Sequence, residues 1–309
     1  MTHEKSGVAI AVDVGGTGIK CALVDSAGEV RRTQRYPTGR ERGPDVVVDT
    51  IVGVAADLTT AAWLDGLTPV AVGVVVPGIV NEAAGVAEWS ANLGLRDVPL
   101  RDLVAKQVGL PTALGHDVRA GALAEARLGA GRTTRRMLFV AIGTGIAGGF
   151  VVDGRVDPGA HGASGEIGHV VVRTGADARD CECGGRGCLE AYSSAAAIGR
   201  AYGADGVSAA EVAARAAAGE PRAAAVWAEA VDALADGLLA GIALFDPRVI
   251  VLGGGLAEAG QILLDPLMHA LEQRRTFHRL PIIARAELGD EAGCQGAAIL
   301  ALDLVRADW

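Results

Sequence analysis

Two stretches of this chain repeat one pattern. "DVGGTGIKCALVD" (Asp13–Asp25) and "AIGTGIAGGFVVD" (Ala141–Asp153) each join one apolar run to another through a glycine-threonine turn. They share Thr-Gly-Ile at Thr17–Ile19 and Thr144–Ile146. Apolar runs bounded by glycine read as strands, and a short Gly/Thr link between them reads as a hairpin turn. Two ordinary hairpins would also give this pattern, since Gly-Gly and Thr-Gly are common turn formers. The sharper reading is a duplicated fold: two α/β halves, each opening with a hairpin whose tip faces a central cleft.

The rest of the chain fits such halves. Pro44–Trp63 has helical length, with Pro44 suited to a first turn. Pro69–Gly78 is a β-branched buried strand. "LRDLVAKQVG" is a helix stopped by Gly109, and Val118–Gly129 is another. Arg248–Gly260 reads as strand, glycine turn and helix, with helix continuing to about Phe277. A strand at "PIIARAEL" and a closing helix follow. With no Pro/Ser-rich linker, the division is expected near Gly115. Residues 1–115 would be a small α/β domain, with the last helix (about 291–309) packing back on it. Residues 116–290 would be a larger α/β domain.

Half the residues are apolar and 21% are charged, enough for a large core. The formal net charge is −9 and no Lys/Arg-rich run exists. A general attraction to nucleic acid or to an anionic membrane is therefore not expected. "MTHEKSGVAIAVDVGG" lacks the long apolar core of a secretory signal. No apolar run reads as long enough to span a bilayer, about 18 residues. A cytoplasmic, reducing setting is expected, where disulfides are rare.

Three glycine-rich turns follow strands: Gly15-Gly16-Thr17-Gly18, Gly143-Thr144-Gly145 and Gly253-Gly254-Gly255. Glycine lets backbone N–H groups approach an anion, and threonine adds a hydroxyl donor. Three such turns point to a nucleotide cleft. GxxxxGK[ST] is absent, and "GGTGIK" leads into a strand, so neither a Walker loop nor a dinucleotide fingerprint fits. Asp13 ends the first strand beside the first turn. It could hold Mg²⁺ through water next to phosphates, or simply serve the turn.

"DVGGTGIK", "GTGIAGG", "GASGEIGH", "CECGGRGCLE" and "VIVLGGG" together resemble the motifs of the ROK family. That family contains bacterial glucokinases, other hexose and amino-sugar kinases, and sugar-responsive repressors. The resemblance runs from about residue 8 to 305. It implies the two-domain sugar kinase/actin-like (ribonuclease H-like) α/β fold, with a central cleft and a structural zinc site. It implies ATP as phosphoryl donor with Mg²⁺, and a homodimer or homotetramer. The nucleotide would meet Asp13, Gly15, Gly16, Thr17 and Lys20, then Gly143, Thr144 and Gly145, with Gly253, Gly254 and Gly255 on the adenosine side. Asp117 matches the catalytic aspartate. Asn92, Glu166, His169 and Glu190 match sugar-hydroxyl ligands, and Gly78 and His116 join that set. His169, Cys181, Cys183 and Cys188 match zinc ligands.

The chemistry of these residue types agrees. A sugar hydroxyl is a poor nucleophile, and a positioned carboxylate can take its proton. Asp117 precedes a helix, so it also suits an N-cap. Glutamates, a histidine and an asparagine can pair the hydroxyls of a hexose, although Glu166 or Glu190 alone would pass for a solvated loop residue and Asn92 for a turn residue. "CECGGRGCLE" could suggest a redox centre or a disulfide knot. Three thiolates and one imidazole fill a tetrahedral zinc shell, however, and leave no open position for catalysis. Cys21 and Cys294 read as core residues.

Two positions depart from the family pattern. His116 stands where an Asn usually precedes the catalytic Asp, and Arg119 stands where another Asn follows. Phosphorylation of the 6-hydroxyl of glucose is the leading expectation. A 6-kinase for an amino sugar is the alternative: N-acetylmannosamine, glucosamine or 3-amino-3-deoxyglucose. A sugar-responsive regulator fits less well, since the first hairpin begins near Val8 and leaves no room ahead of it for a helix-turn-helix. A silent sugar sensor also fits less well, because Asp117 and the glycine turns are intact.

Overall fold

The computed structural model describes residues 7–204 and 206–306. The chain divides into two compact units. The first holds the residues up to Ala124, Pro158–Ala163, and the stretch from Asp290 onward. The second holds Glu125–Asp157 and Ser164–Gly289.

In the first unit, β1 (Gly7–Val14) and β2 (Gly18–Asp25) form an antiparallel hairpin. β3 (Val30–Pro37) follows, then α1 (Pro44–Leu64) and β4 (Thr68–Val76). A small three-stranded sheet comes next: β5 (Ile79–Asn81), β6 (Val86–Ser90) and β7 (Leu95–Val98). Then come α2 (Leu100–Val108), β8 (Thr112–His116) and α3 (Asp117–Arg127). The main sheet has the order β3-β2-β1-β4-β8, with β4 and β8 parallel to β1.

The alternation within "VAIAVDV" decides what each face of this sheet receives. Val8, Ile10, Val12 and Val14 join the core built with Val47, Ile51, Val54 and Leu58 of α1. Ala9 and Ala11 face the other way, into a core of Ala120, Ala297, Ala298 and Ala301. Strand side chains alternate, so Asp13 falls on the alanine side.

In the second unit, β9 (Arg136–Ile142) and β10 (Ile146–Val152) repeat the hairpin, followed by β11 (Arg155–Val156). Four helices follow: α4 (Glu190–Ser193), α5 (Ala195–Tyr202), α6 (Ala209–Ala217) and α7 (Pro221–Phe245). β12 (Val249–Gly253), α8 (Gln261–Arg274) and β13 (Ile282–Arg285) complete the unit. Its sheet runs β11-β10-β9-β12-β13, again a hairpin flanked by two parallel strands. Leu138, Val140, Ile250 and Leu252 pack there with Trp227, Leu234 and Leu238 of α7.

α9 (Ala292–Arg306) belongs to the first unit. Two glycines let it lie close: a Cβ on Gly73 of β4 would strike the Ala297 carbonyl, and one on Gly296 would strike the Ala120 carbonyl of α3. This packing places the division after Ala124 rather than near Gly115, because the first turns of α3 belong with α9. Residues 307–309, included in the expected closing helix, and residues 1–6 of the stretch read for a signal lie outside the described residues.

Sequence reasoning missed several elements. β3 is an exposed polar edge strand, β5 to β7 are too short to show a period, and β8 carries one large apolar residue. The glycine turn after β12 leads into a short 3₁₀ segment, Gly255–Ala259, instead of directly into a helix. α8 ends at Arg274, short of Phe277. The expectation about apolar runs also needs correction: by length and composition α1 could cross a bilayer. Here its Val47, Ile51, Val54, Ala55, Leu58 and Ala62 are buried, at the spacing of a helix packed on a sheet.

Candidate active site

The first unit gathers one set of expected residues around the β1–β2 hairpin. The turn is closed by Gly15 N donating to Gly18 O at 2.8 Å and by the Thr38 hydroxyl donating to Gly15 O at 2.7 Å. Thr17 is exposed at the tip. Asn92, exposed in the turn after β6, lies with its Cβ 3.9 Å from the space above Gly16. Asp13 and Lys20 are cross-strand partners. Lys20 Nζ reaches the carboxylate of Asp290, which also accepts from Arg35 at 2.9 Å. Gly293, in the first turn of α9, leaves room for Asp13, whose Oδ2 would be 2.5 Å from a Cβ there.

Asp13 is therefore a carboxylate enclosed by a sheet, a helix start and other carboxylates. Burial, then the charge of Asp117 and more weakly that of Asp290, push its pKa up to about 7 against the pull of Lys20. Burial likewise pushes Asp117 up to about 6, opposed by the Val118 N–H that its Oδ1 accepts at 2.7 Å. Asp117 is the first residue of α3 and its Oδ1 is held by the next N–H, whereas the capping contact onto the third helical residue, Arg119 N, is made by His116 Nδ1 instead of by Asp117. Clustered carboxylates with raised proton affinity suit a divalent cation that keeps its waters, the usual state of Mg²⁺ beside phosphates.

His116 ends β8 and is buried. Its Nδ1 accepts from Arg119 N at 3.3 Å and lies 3.4 Å from Asp117 Oδ1. Burial, then Arg119, press the ring pKa down to about 3. The buried Arg119 guanidinium donates to Glu82 Oε1 at 3.1 and 2.9 Å and to the Gly162 carbonyl at 2.8 Å. The two departures from the family pattern are thus linked to each other. Gly78 has φ +109° and a Cβ there would strike the Trp89 carbonyl, so local packing alone requires glycine.

The second unit gathers the remaining expected residues around the β9–β10 hairpin. Gly165 and Gly168 of "GEIGH" press against the Gly148 and Ile146 carbonyls of β10, where any Cβ would clash. That contact seats the 3₁₀ turn Ile167–His169 and its flanking Glu166 on the hairpin. Glu166 Oε2 lies 3.8 Å from His169 Nε2. Glu190, first in α4, accepts from Ile146 N at 2.6 Å. Gly145 leaves room for that carboxylate, since a Cβ would come 2.5 Å from Glu190 Oε2. Gly145 therefore has a packing reason that the phosphate reading did not anticipate. Gly253 faces Phe139 and Gly254 (φ +77°) faces Ile142, again close packing. Among the described residues nothing crowds Gly143 or Gly255.

His169, Cys181, Cys183 and Cys188 offer four ligand atoms within 4.8 Å of one another. His169 Nδ1 is 3.7 Å from Cys181 Sγ, and Cys183 Sγ is 3.8 Å from Cys188 Sγ. A zinc tetrahedron with Zn–S bonds of about 2.3 Å has edges of about 3.8 Å, so the cluster fits that ion. The loop is tight: Cys181 N donates to Gly185 O at 2.9 Å, and Gly187 (φ +77°) abuts the Arg173 carbonyl. Nδ1 faces the sulfurs, while Nε2 faces Glu166.

Comparison with known proteins identifies the family and the fold. The ROK family model matches residues 9–304. The chain belongs to the ROK family. A glucokinase of Streptomyces coelicolor is 30% identical, over 96% of this chain and 98% of its own length. An N-acetylmannosamine kinase of Citrobacter koseri is 34% identical, over 94% and 98%. The crystal structure of a ROK family glucokinase from Streptomyces griseus in complex with glucose and AMPPNP superposes with TM-score 0.81 at 29% identity, covering 96% of this chain and 100% of that one. The actin-like two-domain kinase fold of the ROK sugar kinases is therefore this chain's fold.

Sequence reasoning did not single out Asp290, Gly293 or Glu82. "GDEAG" before the closing helix held a signal for the first two, an acidic turn with a glycine three residues on. Glu82 gave none, because its partner Arg119 is distant in sequence.

Proposed function

We propose that this ROK protein is an ATP-dependent hexose kinase that phosphorylates the 6-hydroxyl of glucose. The observation carrying the reading is Asp117: a carboxylate of raised proton affinity, aimed by the start of α3 and grouped with Asp13 beside a glycine-threonine turn. In this reading Asp117 accepts the O6 proton as O6 bonds to the γ-phosphorus and the bond to the ADP oxygen breaks. Asp13 holds the Mg²⁺ through water, and Mg²⁺ when bound offsets phosphate charge. Backbone N–H groups of the two hairpin turns and of Gly255 meet the nucleotide. Asn92, His116, Glu166, His169 and Glu190 pair the sugar hydroxyls. His169, Cys181, Cys183 and Cys188 hold a structural zinc that fixes the histidine ring. The N-acetylmannosamine kinase relative supports a second reading, a 6-kinase for an amino sugar. A coupled ADP-release assay across glucose, mannose, glucosamine, N-acetylglucosamine, N-acetylmannosamine and 3-amino-3-deoxyglucose separates the two. Turnover of no hexose would reject both.

A further inference from the structure

His116 is held in one tautomer by its neighbours. The Arg119 backbone N–H points at Nδ1, so Nδ1 presents a lone pair. In a neutral imidazole the proton then sits on Nε2. The ring is neutral at working pH, because burial and Arg119 both oppose a second proton. Arg119 is fixed in turn by Glu82 and the Gly162 carbonyl. Among the described residues no group accepts from Nε2. The ring therefore has one polar atom to offer a ligand, and it is a donor.

We propose that His116, locked as the Nε2–H tautomer by the start of α3, makes the sugar site select hexoses that present an oxygen acceptor over hexoses that carry an ammonium at the ring position it faces. The inference rests on the hexose-kinase reading and narrows its substrate class. A carboxamide in this place would offer a donor or an acceptor by turning over. The locked imidazole can only donate. An ammonium has three donors and no acceptor, so it would leave buried N–H groups facing each other. A hydroxyl or an N-acyl carbonyl accepts. The charged groups around the ring are Asp117, Arg119 and Glu82. Arg119 repels an ammonium, and Glu82 balances Arg119. Asp117 attracts an ammonium but is committed to the reacting hydroxyl.

The test measures kcat/KM for glucose and for its 2-, 3- and 4-amino-deoxy analogues at pH 6.5 and pH 9, each normalised to glucose. Sugar amines lose their proton in the range of an α-amino group, about 8. The expected result is one analogue disfavoured by a further factor of roughly 10 to 100 at pH 6.5, the cost of an unpaired buried donor. His116→Asn should bring that ratio close to its pH 9 value. Nitrogen NMR of the His116 ring should show Nε2–H, a readout that does not depend on the variant folding. An Nδ1–H ring, a ratio unaffected by His116→Asn, or an ammonium sugar preferred at pH 6.5 would each overturn the inference. Absence of glucose turnover by the unaltered protein would instead reject the hexose-kinase reading.

Discussion

Replacing Asp13 with asparagine should make the protein inactive and, without ligands, more stable. The carboxyl is displaced from the ordinary 3.8 to about 7 by burial and by Asp117. Each tenfold displacement of a proton equilibrium corresponds to about 1.36 kcal/mol, so the ionised group costs the folded state up to about 4 kcal/mol. The sign follows from linkage. With the folded pKa above the unfolded one, the native state holds more protons between about pH 4 and 7. The penalty is therefore absent below about pH 4, grows through that window and is complete above it. At pH 5 it is about 1.5 kcal/mol. The neutral amide lacks the penalty, and Asp117 and Asp290 lose a repelling neighbour. The assay is thermal unfolding of both proteins from pH 5 to pH 8.5, without nucleotide, sugar or magnesium. A gain of about 2–4 kcal/mol at pH 8, or roughly 4–10 °C, should shrink toward pH 5. A variant no more stable at pH 8, or a gain independent of pH, would refute the electrostatic account of this site.

Asp117→Asn should lower kcat by roughly 10²- to 10⁴-fold, the usual span for a general base, with the fold and zinc content retained. Near-normal turnover would reassign the base. In the unaltered protein kcat/KM for glucose should rise from pH 5 to about 7, as Asp117 and then Asp13 lose protons; a flat profile would contradict that assignment. Zinc removal, or Cys183→Ser, should weaken glucose binding by freeing the His169 ring, with Glu190 less affected because Ile146 N still holds it. Unchanged sugar affinity would make the cluster a fold staple only. A chelator should expose Cys183 first to a thiol reagent, whereas Cys21, pushed up to about 12 by burial, and Cys294, also raised, stay unreactive until the protein unfolds. Early labelling of Cys294 would show that the alanine-lined core opens.

Both hairpins could be read in the sequence because glycine and β-branched residues announce strands and turns locally. The His/Cys cluster was legible for a similar reason: three of its four residues lie within eight positions of one another. The links between His116 and Arg119, and between Arg119 and Glu82, were not. The first depends on a helix start turning a backbone N–H onto a ring nitrogen, and the second spans 37 residues. The packing role of Gly145 was hidden for the same cause. Its neighbour Glu190 is remote in the chain, and a glycine emptied for a side chain looks the same in sequence as one emptied for a phosphate. Asp290 stayed hidden because an acidic turn before a helix has an ordinary capping explanation.

The two hairpins share a frame but not their fittings. Where the first copy sets Asp13 opposite Lys20, the second sets Ala141 opposite Ala147, at the matching places on either side of its turn. The second copy has instead become a mounting rail, to which Glu190 and the "GEIGH" segment attach through backbone contacts. Of the two like hairpins, one carries charge and the other carries docking contacts. The halves are consequently not interchangeable parts: grafting the second hairpin onto the first sheet would preserve its strand pattern and delete its ionic chemistry.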